Sequence, residues 1–346
     1  MMARWSLVIS TWLYRVAADE ALQNRCLVSS FPDSRSELPQ LLNCLGLLRE
    51  AVEVGVQAGV HAHHFLDKWQ GNRLRLVDLW GEAGSETNLF YVDIANVHGV
   101  AARRQHRLQC EERLERSLRS GHAEVLHMES AMAAEQIEDG ELDFVYLDAR
   151  HDLAGVVADI HAWWPKVRVG GLFAGHDFVD GEFPEGDFFW ISALNEALPG
   201  LQNVHVIRER NRYPSFFILK TAEMSSLVPQ PLDTMALTLK LYASRSKYFD
   251  LWSKLQGTSD GFLSSCKDTC GEDCALRMSN FTPGIRSAIS TLRPFACEKE
   301  TCASEVTLDV DEYRRVCVER CAVTCQQRLE LFEKHGEQIL TYRRIA

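Results

Sequence analysis

The chain has 346 residues, of which 46% are hydrophobic and 25% charged, the balance of a water-soluble globular protein with room for one large domain or two ordinary ones. The formal net charge of −11 argues against a nucleic-acid partner, because a phosphate backbone selects basic surfaces. No apolar run approaches the ~20 residues of a membrane-spanning helix.

Residues 1–37 read as a leader. Arg4 precedes an apolar stretch from Trp5 to Tyr14, and Ala17 and Ala18 follow. That order suits a short signal peptide or an N-terminal helix, with Arg15 diluting the first reading. The run from Phe31 to Ser36 is a turn-rich break.

Helical spacing follows from Leu38 to Arg49, with Leu41, Leu42, Leu45 and Leu48 on one side. A buried strand at 51–56 leads through a glycine turn to a helix over 61–69. A second strand, Leu74 to Leu79, reaches Asp78 near its end. A charged helix over 97–117, a strand over 124–128 and a strand over 142–147, ending beside Asp148, come next. The helix from Leu153 to Trp164 is closed by Pro165, and Gly170-Gly171 marks a turn into a fifth strand over 172–174. Segments 204–208 and 215–219 read as a hairpin. Strands alternating with helices imply a parallel sheet covered on both faces, and the hairpin adds an antiparallel edge.

Such a sheet binds its ligand at the carboxyl ends of its strands. The first turn, Glu53-Val54-Gly55-Val56-Gln57-Ala58-Gly59, is followed at about twenty residues by Asp78, whose carboxylate can accept both hydroxyls of a ribose. The pair suits a nicotinamide dinucleotide or S-adenosylmethionine. A dinucleotide requires Gly-x-Gly-x-x-Gly to seat its pyrophosphate, and Gln57 stands where the middle glycine would be. A tight turn without ligand is the plain structural alternative.

The stretch Ala51 to Gly59, then Leu76 to Trp80, resembles the opening of the class I methyltransferases grouped as methyltransferase family 24. Tyr91 to Asn96, Leu142 to Asp152 and Trp163 to Asp177 are similar to successive segments of that family, in its order. The resemblance spans most of residues 38–222. It implies a Rossmann-like seven-stranded sheet of order 3-2-1-4-5-7-6, with strand 7 antiparallel. It also implies S-adenosylmethionine as cofactor, with Glu53, Gly55, Gln57 and Gly59 at the cofactor turn and Asp78 at the ribose. Ser130 would lie near the adenine, and equally suits a helix N-cap.

Methyl transfer needs an aligned acceptor and a place for its proton. Asp148 closes the fourth strand, and His176 and Asp177 close the fifth, so the three can converge. In the metal-dependent O-methyltransferases that look similar, residues at these strand ends hold magnesium. Asp148, His176 and Asp177 are therefore the candidate ligands for a divalent metal, although a histidine departs from the usual acid. His151 is the candidate general base, alongside Asp148. Asp148, His151 and Asp152 could instead cap the next helix. Arg150 reads as a surface ion pair or a contact for an acidic substrate. Trp80, Tyr91, Trp163 and Trp164 read as packing residues, and the His61, His63, His64 cluster as ordinary helix residues rather than a metal site.

Eight of the 11 cysteines lie between Cys266 and Cys325. Residues 223–346 read as a Cys-rich helical region, with long helices over 232–256 and 309–343 and a glycine-bearing loop between. Cys266, Cys270, Cys274 and Cys317, Cys321, Cys325 each form a helical stripe, suited to interhelical disulfides, with Cys297 and Cys302 completing an even set. Structural zinc and buried free thiols are the rivals. Asn280-Phe281-Thr282 is a glycosylation acceptor. Disulfides and a glycan together point to the secretory lumen or the outside of the cell, with the cytoplasm as alternative.

The sequence thus reads as an S-adenosylmethionine-dependent methyltransferase, acting on a small-molecule or glycan-like hydroxyl with or without a divalent metal. The alternatives are a binding or scaffold protein that keeps the fold without turnover and, more remotely, an NAD-dependent oxidoreductase.

Overall fold

A computed structural model describes residues 25–27, 29–81, 100–184, 186–207, 213–255, 258–292 and 310–345. The signal-peptide reading, the segment Tyr91–Asn96, and Cys297 and Cys302 lie outside these residues, as does the side chain of Asn280.

The strands are β1 (Glu50–Val54), β2 (Arg73–Asp78), β3 (Ala123–His127), β4 (Leu142–Leu147), β5 (Val167–Gly175), β6 (Asp180–Phe183), β7 (Gly186–Phe189), β8 (His205–Ile207) and β9 (Ser215–Leu219). The helices are α1 (Leu38–Leu45), α2 (Val60–Leu66), α3 (Val100–Arg113), α4 (Glu115–Ser120), α5 (Ser130–Glu135), α6 (Leu153–Trp163), α7 (Trp190–Ala197), α8 (Thr234–Arg245), α9 (Lys247–Lys254), α10 (Ser259–Leu292) and α11 (Val310–Ile345).

Seven strands form one sheet in the order β3-β2-β1-β4-β5-β9-β8. The first five run parallel, and β9 is antiparallel to both neighbours. This is the expected seven-stranded architecture, with β9 and β8 as the terminal hairpin. Both faces are covered, so the central strand β4 is apolar and buried at almost every position. Its side chains alternate: Val145 and Leu147 join one hydrophobic cluster, Phe144 and Tyr146 the other. Asp143 is the buried exception, and it takes Arg49 N (2.7 Å) and Arg168 Nε (2.6 Å).

Several elements depart from the sequence expectation. β5 runs through Gly170-Gly171, because Gly170 adopts φ +81° and its N–H bonds Lys220 O at 2.7 Å. The charged helix ends at Arg113 and restarts at Glu115. The helix over 232–256 breaks at Ser246, whose backbone is extended and whose Oγ caps Phe249 N at 2.8 Å. Of the stretch between the two long helices, read as holding a glycine-bearing loop, residues 259–292 form the continuous helix α10, which carries the Cys266–Cys274 stripe. The antiparallel β6–β7 hairpin and α7 have no counterpart in the sequence reading.

The C-terminal helices share the core of the sheet domain. A single cluster runs from Val145 and Trp163 through Tyr242 and Phe249 to Phe332 and Ile339. Cys266–Cys325, Cys270–Cys321 and Cys274–Cys317 are disulfides joining α10 to α11, the antiparallel stripe-to-stripe pairing the spacing suited. These sulfurs therefore offer no thiolates to zinc. A fourth disulfide, Cys26–Cys44, ties the segment before α1 to the domain. Phe31 also packs against Phe217 at 5.6 Å, so the part of the leader described here belongs to the folded unit. No helix of the described residues is long and apolar enough to cross a membrane.

Glu182 of β6 accepts from Ser246 Oγ (2.5 Å) and Lys247 N (2.9 Å). Burial, then the neighbouring Asp187, push its carboxyl up from 4.5 to about 7. Between those values the folded state holds a proton that the unfolded state has lost. Stability from this group is therefore full below pH ~4.5 and falls as the pH rises through about 7. Urea denaturation at pH 5 and pH 8 checks this, and Glu182→Gln is expected to flatten the decline.

Candidate active site at the carboxyl edge of the sheet

The turn after β1 is shaped by left-handed residues. Gly55, Gln57 and Gly59 have φ of +89°, +48° and +71°. Glycine at position 55 is required by close approach: a Cβ there would lie 2.1 Å from Asp148 O. The turn thereby seats against the end of β4, where Asp148 N also bonds Val54 O at 2.8 Å. At Gly59 a Cβ would meet Cys110 Sγ at 2.8 Å. That thiol is buried and pushed up to about 12 by burial first and then nearby acids, so it packs without titrating near neutrality.

Asp78 Oδ2 accepts from Gln57 N and its Oδ1 from Trp80 N, both at 2.8 Å. Each oxygen retains acceptor capacity beyond these bonds. Trp80 Nε1 donates to Gln57 O at 2.8 Å, which locks the β1 turn to the β2 end. Gln57, Trp80 and Asp177 are non-glycine residues with positive φ, and all three stand at this edge.

Glu53 is buried at the base of the turn, with Oε2 3.2 Å from His61 Nδ1. His61 stacks on Tyr146 at 4.4 Å, while His63 lies 3.6 Å from Asp67, so the histidines of α2 do not converge on one point. Ser130 is the first residue of α5. Its Oγ donates to Asp159 Oδ1 (2.5 Å) and accepts from Trp163 Nε1 (2.8 Å). Burial, against the Ser130 bond, pushes the Asp159 carboxyl up to about 6.

Four titratable groups meet at the ends of β4 and β5. Asp177 is their hub: Oδ2 lies 2.7 Å from His151 Nε2, and Oδ1 lies 2.8 Å from His176 Nδ1. Asp148 Oδ1 stands 4.0 Å from His151 Nε2 and 3.9 Å from His176 Nδ1. Burial works to raise the Asp177 carboxyl, but the bonds and charges of the two histidines hold it well below the usual range. At His176 burial opposes the charged form, and the carboxylates of Asp148 and Asp177 override it, leaving the imidazole above its usual value. Asp152 alone caps α6, through Gly155 N (3.1 Å), and it also receives Arg150 bidentately at 2.8 Å. Asp148 and His151 are thereby left to the edge cluster.

Sequence reasoning missed Arg35. It sits in the segment assigned to the leader, yet its Nη1 is 3.0 Å from Asp148 Oδ2 and 3.4 Å from the Tyr146 hydroxyl. Nothing local in the sequence signals this contact across 113 positions. Among the described residues, the acids and histidines whose donor atoms converge are Asp148, His151 and Asp177, within 4.8 Å of one another. His151 takes the place given by the sequence to His176. Two carboxylates and one imidazole suit a divalent ion of borderline character.

The sequence model of a family described as a methyltransferase domain matches residues 52–178. Solved structures with similar folds include an rRNA methylase from Streptococcus thermophilus, at 11% identity and TM-score 0.35, covering 51% of this chain and 88% of its own. A Corynebacterium glutamicum protein aligns at 15% identity and TM-score 0.37, over 61% of this chain and 97% of its own. Spermidine synthase from Thermotoga maritima aligns at 13% identity and TM-score 0.35, over 50% of this chain and only 54% of its own. No curated protein matches the chain by sequence. The matched segment begins in β1 and ends just past Asp177, so the stretch that is similar to a methyltransferase domain contains the turn, Asp78 and the edge cluster.

Proposed function

We propose that the protein transfers a methyl group from S-adenosylmethionine to a hydroxyl of a small-molecule or glycan-like acceptor, with His151 as general base. The observation that carries this reading is the meeting of Asp148, His151 and Asp177 at the sheet edge that also holds the β1 turn and Asp78.

S-adenosylmethionine supplies, when bound, an electrophilic methyl group on a sulfonium sulfur. The residues fit it. Asp78 has acceptor capacity for a ribose diol, and the turn lacks the glycine pattern that a pyrophosphate needs, which disfavours NAD. His151 would take the acceptor's proton at Nδ1, the ring nitrogen not turned to Asp177, as the new oxygen–carbon bond forms and the carbon–sulfur bond breaks. Asp177, 2.7 Å from Nε2, orients the imidazole and stabilises its charged form. Transfer of tritiated methyl across a panel of hydroxylated acceptors tests this, and His151→Gln is expected to lower the rate by about 10²–10⁴-fold. An unchanged rate would remove His151 from the reaction.

A divalent cation would instead lower the pKa of an acceptor hydroxyl; Asp148, His151 and Asp177 would hold it, and His151 would then serve as ligand in place of base. Arg35 already places a cation at Asp148 Oδ2. Arg35→Gln is therefore expected to bind manganese about fivefold more tightly than the wild type, read by electron paramagnetic resonance of free Mn²⁺. Equal affinity would show that the guanidinium does not compete. The four disulfides of the described residues support placement in the secretory lumen or outside the cell.

A further inference from the structure

One buried ion pair joins the C-terminal helices to the candidate base. Arg328 of α11 and Asp187 of β7 have side chains 0% and 1% exposed. The guanidinium donates to Asp187 Oδ1 and to Phe183 O (2.8 Å), and it lies 4.0 Å over the ring of Tyr248. Tyr242 of α8 donates its hydroxyl to Asp187 Oδ2 at 2.5 Å. One turn before Arg328, Thr324 Oγ1 bonds Pro184 O at 3.3 Å. The β6–β7 hairpin is thus gripped from α8 and α11 at its tip and along β7.

A buried ion pair adds little stability over apolar packing, but it admits few alternative orientations. Side chains alternate along a strand. Asp187 meets Arg328, and the next residue, Phe188, meets the other side. Its ring touches the His151 imidazole edge-on, with centroids 4.5 Å apart and planes at 88°. Phe189 N then donates to His151 O at 3.0 Å. His151 is held in ring and backbone by the two residues that follow Asp187. Two of the disulfides, at Cys321 and Cys325, flank Thr324 and fix the stretch of α11 that carries Arg328.

We infer that Arg328 is a positioning residue: through Asp187 and Phe188 it sets the His151 imidazole against Asp177, making the disulfide-stapled helices part of the active site. The inference rests on the reading of His151 as the base.

The test is the rate at which diethylpyrocarbonate modifies His151 in the full chain at fixed pH, resolved by peptide mass spectrometry. Arg328→Met and Phe188→Ala are expected to raise that rate about fivefold or more. S-adenosylhomocysteine affinity, measured by calorimetry on the same samples, should stay near wild type. Arg328→Lys keeps the charge but not the fork, and is expected to fall between. If Arg328→Met does not fold, Arg328→Lys and Phe188→Ala decide. Unchanged His151 modification in folded variants would overturn the link. A wild type that binds no S-adenosylhomocysteine, with the modification change intact, would instead overturn the functional reading and His151's role as base with it.

Discussion

Arg328→Met is expected to destabilise the protein by about 3–5 kcal/mol, because it leaves the Asp187 carboxylate buried without its cation. Asp187 is 1% exposed and cannot turn to water without opening the hairpin. Arg328→Met combined with Asp187→Leu should recover most of that loss, since two apolar side chains need no pairing. The recovery will be incomplete, because Tyr242 Oη loses the acceptor it holds at 2.5 Å. A buried hydroxyl left without a partner costs about 1–3 kcal/mol, so adding Tyr242→Phe should restore the remainder. Urea midpoints of the single, double and triple variants check the sequence. A single variant as stable as the wild type would mean that the carboxylate takes up a proton at little cost, or finds another partner.

Gly55→Ala should be the most damaging single-methyl change in the β1 turn. The added carbon would stand 2.1 Å from Asp148 O, 2.5 Å from Asp148 C and 2.7 Å from Ala149 N, all backbone atoms that no rotamer change can move. The φ of +89° adds strain of its own. A loss on the order of 3 kcal/mol or more is expected, together with loss of cofactor binding. Gly121→Ala is the control: its φ is +78°, and a Cβ there meets nothing within 4 Å. It should cost only about 1–2 kcal/mol. Equal effects at the two sites would show that backbone conformation alone governs, and that the approach of Asp148 to the turn is unimportant.

The sheet was legible because its strands are short apolar runs that end in carboxylates. Asp78, Asp148 and Asp177 each follow such a run, and strand ends in a parallel sheet share one edge. Side-chain direction at those ends was not legible. Asp177 has φ +55°, and its two oxygens bridge His176 and His151, which puts His151 rather than His176 in the converging ligand group. Arg35 was hidden for a different reason. Its contact depends on a segment tied down by the Cys26–Cys44 disulfide, and pairing between distant cysteines has no local signal.

The β6–β7 hairpin shows the limit most clearly. Its strands are four residues each, with glycines at 181 and 186, too short and too polar to announce themselves. Tertiary contacts with α8 and α11 supply what local propensity lacks. The cysteine stripes were readable because three-residue spacers on a helix place sulfurs on one face. The break at Ser246 was not, because a serine inside an apolar pattern caps a helix only where its hydroxyl reaches the next turn.

Calorimetric titration of the full chain with S-adenosylhomocysteine, repeated with Asp78→Ala and with NAD, tests the methyltransferase reading most directly. Micromolar binding of S-adenosylhomocysteine that is lost in Asp78→Ala, with no heat from NAD, is the expected result. A folded wild type that binds no S-adenosylhomocysteine, or that binds NAD in its place, would contradict it.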